Sequence, residues 1–142
     1  MTEAEIKVIM SDIHKILTFS RILDDIEKDL RRINTKLDDL ASLPSNGNFD
    51  KVKVENNHVE LSTKINNLLS DEQELIERKS RISERLELAL SYKRQILAQT
   101  DNDLFMVDYM NGMSYRKMTI KHGYENPYEH MISVMRNLTI RI

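Results

Sequence analysis

The sequence predicts an all-α protein: a long antiparallel helical hairpin, coiled-coil-like, over residues 1–100, followed by a small helix-turn-helix unit over residues 101–142. Three observations carry this. Apolar residues recur in steps of three and four along two extended stretches, which is the seam of a coiled coil and not the two-residue alternation of a strand. One cluster of turn formers, Leu43-Pro44-Ser45-Asn46-Gly47-Asn48, separates the two stretches. The remaining glycines, Gly112 and Gly123, and the second proline, Pro127, all fall beyond residue 110 and divide the C-terminal part into short pieces. With 31% charged residues, 6% aromatics, three glycines and two prolines, the composition is that of a helical protein.

The first stretch has apolar residues at 6, 9, 13, 16, 19, 23, 26, 30, 33, 37 and 40. Its steps alternate between three and four except between Ile16 and Phe19, which predicts one long helix from about residue 5 to 41. Such a helix spans about 55 to 60 Å, so it needs a partner helix to cover its seam. From Phe49 to Asn57 the pattern is ambiguous: Val52 and Val54 alternate like a strand, but two such residues do not make a sheet. The segment reads as loop passing into helix. The second seam runs through Leu61, Ile65, Leu68, Leu75, Ile82, Leu86, Ala89 and Ile96, and predicts a helix from about 58 to 98. Two long helices joined by one loop pack antiparallel. Glu72, Lys79 and Lys93 stand at seam positions. They either pair with charges on a facing helix or second subunit, or extend out of the seam to water. Val8, Leu17, Ile22, Leu69 and Ile76 lie beside the seams; a lone hairpin leaves them uncovered, which predicts a homodimer.

Thr100-Asp101-Asn102 resembles a helix start. Leu104, Phe105, Tyr109 and Met110 then form a short apolar period, ended by Gly112 in the left-handed conformation. Ser114 is placed to cap a helix from Tyr115 to His122 that buries Met118 and closes at Gly123. Asn126-Pro127 starts a third helix. Its inner face is Tyr128, Ile132, Met135 and Leu138, leaving Asn126, Glu129, His130, Ser133, Arg136 and Asn137 outward. Met106, Met110, Met113, Met118, Met131 and Met135 crowd into this part, where methionine suits a small irregular core.

Several classes of chemistry find no support. There is no cysteine for a disulfide or thiolate site, no glycine-rich phosphate loop and no nucleophile elbow. His14, His58, His122 and His130 lack the spacing of a helical zinc site and read as surface or cap residues. No catalytic residue, metal or cofactor is therefore assigned, and the protein is read as a non-enzyme. No apolar run approaches the ~20 residues needed to cross a bilayer, and the start of the chain lacks a basic segment followed by an apolar one. A soluble cytoplasmic protein is expected. The net charge of −2 leaves any nucleic-acid binding to local patches. Arg78, Lys79, Arg81 and Arg85 are interleaved with Glu77 and Glu84 as on a solvated face, whereas Arg116, Lys117 and Lys121 share one short helix.

Helix, glycine turn, short helix, glycine turn and longer helix is the order that sets a recognition helix in the major groove. At Tyr109 to Tyr124, "YMNGMSYRKMTIKHGY", and Pro127 to Leu138, the sequence resembles the C-terminal helix-turn-helix of sigma factors. It is more closely similar to phage transcriptional regulators of the RinA/ArpU type, whose Ser/Pro/Gly break between two long helices Leu43 to Gly47 also resembles. The specific part covers about thirty residues. The resemblance implies a phage-encoded transcription regulator in the bacterial host cytoplasm, with double-stranded DNA as partner and host RNA polymerase or another protein as a further one. It implies phosphate contacts from Arg116, Lys117 and Lys121. It also implies a reading helix carrying Asn126, Tyr128, Glu129, His130, Ser133, Arg136 and Asn137, where Asn suits adenine, Arg guanine and Glu cytosine. From Asp101 onward, however, five Lys and Arg are matched by five Asp and Glu. That balance supports a second reading, a non-enzymatic protein-interaction module, a phage accessory protein or inhibitor that binds a host or defence protein through a repurposed helix-turn-helix.

Overall fold

The structure, a computed structural model, describes residues 1–42 and 51–141, with the backbone alone over 51–58. The Pro44–Gly47 break lies outside the described residues. Six helices and no strand occur among those described: α1 (Glu3–His14), α2 (Ile16–Ala41), α3 (Lys51–Gln99), α4 (Leu104–Met110), α5 (Tyr115–His122) and α6 (Pro127–Arg136). The chain forms two compact units, one of Met1–Ser20 with Ser83–Ile142 and one of Arg21–Ile82.

Within Arg21–Ile82 the two long helices run antiparallel. Lys36, Asp39 and Leu40 face Lys64, Asn67 and Leu68 across a groove, and further along Asp29, Arg32 and Ile33 face Glu74, Leu75 and Arg78. Indices fall on one helix as they rise on the other, which defines a hairpin. Ile26 and Ile33 are buried in the seam. The Lys79 ammonium lies 3.4 Å from the Glu27 carboxylate across it, so this seam cation is paired within the hairpin.

The expected single helix from 5 to 41 is instead two. Lys15 ends α1 with its N–H bonded to the carbonyls of Ser11 and Asp12, while its own carbonyl accepts the Phe19 N–H that opens α2. The break falls beside the irregular step in the apolar pattern, where two successive three-residue steps turn the seam away from a uniform heptad. At its other end α1 is closed by a capping box: Thr2 Oγ1 accepts the Glu5 N–H and Glu5 Oε2 accepts the Thr2 N–H. The third helix also differs, starting from Lys51 and not from near 58.

The break at Lys15 lets α1 join the C-terminal elements. Ile6, Ile9, Met10 and Ile13 of α1 and Tyr92 and Ile96 of α3 form one core with Phe105, Met106, Tyr109, Met110, Met118, Met131, Ile132 and Met135. Five of the six methionines expected to fill a core are buried in it, and Met113 packs against it partly buried. A short helix such as α5 is not stable alone; Met118, fully buried, anchors it here. Lys93, the second seam cation, donates to Asn111 Oδ1 at 3.1 Å.

Candidate nucleic-acid interface

Local signals place each helix of the C-terminal part. Thr100–Asn102 is the turn that ends α3 and not a helix start: Asp101 and Asn102 both have positive φ, which these two residue types tolerate better than most. The start is Asp103, whose side chain accepts the Phe105 N–H at 3.1 Å. Gly112 and Gly123 take φ of 80° and 77°, Ser114 caps α5, and Asn126 caps α6 with Pro127 in its first turn. The last helix stops at Arg136, short of Leu138. There the Asn137 and Leu138 N–H groups bond three residues back, to Val134 and Met135, a tightening that ends a helix.

Six of the ten residues expected at the interface are brought together. Asn126, Tyr128, Glu129, Ser133, Arg136 and Asn137 line one groove of about 520 Å³ along α6, together with Ile132 and with Glu3 of α1. Tyr128 is the least available of these. It is half-buried, its hydroxyl donates to Glu3 Oε1 at 2.9 Å, and the Lys7 ammonium lies 5.9 Å from its ring centre. Burial, and then the Glu3 carboxylate, holds the phenol above the usual tyrosine range.

The other four residues divide. Arg116 and Lys117 are exposed on the first turn of α5 and form no ion pair among the described residues. Lys121 is turned toward α4, where its ammonium lies 2.8 Å from Asp108 Oδ2. The same oxygen is 2.8 Å from His122 Nε2. Hydrogen bonds from Lys121 and then His122 hold the Asp108 carboxyl below the usual aspartate range. His130, expected outward, is a packing residue: its ring stacks on Tyr124 at 3.8 Å and meets the face or edge of Phe105 at 4.5 Å and 86°. On α6 it follows Glu129 by one step, far enough around the helix to point toward α4.

The histidines described with side chains are more than cap or surface groups. His14 Nε2 donates to the Tyr109 carbonyl at 2.8 Å, tying α1 to α4, and Tyr109 and Tyr115 share a hydroxyl contact of 3.1 Å. Burial first, then Tyr115, raises the Tyr109 phenol pKa. Among the described residues no group of side chains is placed to hold a metal ion, and no helix is long and apolar enough to cross a membrane. Glu3 and Asp108 were not legible as site residues, since one lies 125 positions from its partner Tyr128 and the other carries no motif. No protein-family model, curated protein or solved structure matches the chain.

Proposed function

We propose that this chain is a DNA-binding transcriptional regulator of the phage RinA/ArpU type, acting in the cytoplasm of a bacterial host and binding promoter DNA through α5 and α6. One observation carries the reading: α5, the Gly123 turn and α6 follow in helix-turn-helix order and touch each other, with the polar groove of Asn126, Ser133, Arg136 and Asn137 along α6 and exposed Arg116 and Lys117 at the start of α5. In this reading Arg116 and Lys117 meet phosphates, and Arg136 and Asn126 meet base edges. No catalytic role is proposed.

A second reading is favoured by the charges and apolar groups around the same helices. Glu3 and Glu129 stand at the groove, Asp108 offsets Lys121, and Ile120 of α5 is 77% exposed. These suit a protein partner better than a polyphosphate. A salt titration of binding to duplex DNA separates the two. A DNA-binding protein loses affinity steeply as salt rises, with a log–log slope near −0.9 for each phosphate neutralised, about −2 to −3 for two or three contacts. Absence of duplex binding even at low salt rejects the regulator and leaves the interaction module.

A further inference from the structure

Beyond α6 the backbone is bound by two glutamines one turn apart on α3. Gln95 Nε2 donates to the Arg141 carbonyl at 2.7 Å, and its Oε1 accepts the Arg141 N–H at 2.7 Å. Gln99 does the same for Thr139, at 2.7 and 2.9 Å. Each side-chain amide thus offers one residue the donor and acceptor that a neighbouring strand would offer. A residue whose N–H and C=O face the same way is extended, and the next to face that way is two positions on. Two extended residues advance about 6.6 Å and four helical residues about 6.0 Å, so glutamines four apart match residues two apart. Ser91 Oγ accepts from Gln95 Nε2 at 3.2 Å and orients that amide. Alternating with the bonded residues, Leu138 and Ile140 pack against the core, while Thr139 and Arg141 are exposed.

We propose that Gln95 and Gln99, with the apolar surface under Leu138 and Ile140, form a binding site for an extended polypeptide, filled by the chain's own residues 138–141 as a releasable latch. The polar contacts reach backbone alone, so the site selects extended conformation and aliphatic residues at alternate positions. It takes no account of the side chains at 139 and 141. The latch begins one residue beyond the Asn137 cap and therefore ties the end of α6 to α3. The site stands independently of DNA binding.

Amide hydrogen exchange on the full chain tests it. The Thr139 and Arg141 amides should exchange about tenfold or more slower than Ile140, roughly the factor of one net hydrogen bond, because no acceptor for the Ile140 N–H is present among the described residues. Gln99→Ala should release Thr139 and spare Arg141, and Gln95→Ala the reverse. In a second arm, Thr139→Pro with Arg141→Pro removes both donors while keeping the segment extended. A labelled peptide of residues 137–142 should bind this variant, bind wild type at least tenfold more weakly, and fail to bind once Gln95→Ala and Gln99→Ala are added. Uniform exchange across 138–141 in wild type overturns the proposal. So does peptide binding that survives loss of both glutamines, or no binding to the folded proline variant at about millimolar peptide, the range of a short tether's effective concentration. If circular dichroism shows the proline variant unfolded, the exchange pattern and its dependence on each glutamine decide alone.

Discussion

Asp108 illustrates how one residue links stability to the candidate interface. Its carboxylate receives Lys121 and His122 on the same oxygen, both at 2.8 Å, and its pKa lies below the ordinary aspartate value, chiefly through the Lys121 hydrogen bond. A pKa lower in the folded chain than in the unfolded one adds stability above the unfolded value of about 3.9, and that contribution is lost as pH falls through the folded value. Asp108→Asn should therefore lower the urea midpoint near neutrality, and the gap from wild type should close in strong acid; a gap that widens with acid contradicts the ion-pair account. The same substitution releases the Lys121 charge and should strengthen binding to random duplex under the proposed function. Lys117→Ala should flatten the salt slope by about one unit on every sequence. Arg136→Ala should instead cost roughly 1 to 3 kcal/mol on a preferred site and less elsewhere. Anisotropy titrations on specific and random duplexes distinguish the two patterns, and equal losses on both DNAs for Arg136→Ala remove it from base reading.

At the scale of the element, α5 rests on one turn at each end and one anchor in the middle. Gly123 closes it at φ 77°, with open space where a Cβ would go. Replacing it by alanine thus costs only backbone strain, roughly 1 to 2 kcal/mol. Met118 is fully buried, and Met118→Ala should cost about 2 to 5 kcal/mol through lost contact and residual cavity. Urea denaturation of both variants checks the order; a Gly123→Ala loss exceeding that of Met118→Ala rejects this account of what holds the helix. The local code was legible here. Ser114, Gly123, Asn126 and Pro127 act through bonds and torsions within a few residues, so the bounds of α5 and the start of α6 match those read from sequence. Its end does not, because Leu138 continues the apolar period while serving the extended tail and not the helix.

For the whole molecule, apolar groups beside the seams remain in water. Val8, Leu17, Leu69 and Ile76 are 62, 73, 47 and 44% exposed, while Ile22 is half-buried. A homodimer covering part of these residues is expected. Light scattering at tens of micromolar chain should report two copies, and Leu69→Lys with Ile76→Lys should give one copy with helical content unchanged. A monomeric wild type over that range removes the expectation. Lysine is suited to this test because both positions already face solvent, so its charge meets no buried surface within the chain.

By itself the sequence determined the two seams, the antiparallel hairpin and the capped short helices, because each depends on periodicity or on groups a few residues apart. Every position of both apolar stripes, Glu72, Lys79 and Lys93 included, is buried or half-buried wherever the structure describes it. Tertiary structure alone decided that α1 joins the C-terminal core, and that Glu3 reaches Tyr128. It alone brought Lys121 to Asp108, packed His130 against Tyr124 and Phe105, and ended α6 early so that the tail could bond to Gln95 and Gln99. These outcomes rest on contacts between separate elements of the fold. A hydrophobic period records that a face is buried and carries no record of which distant surface buries it.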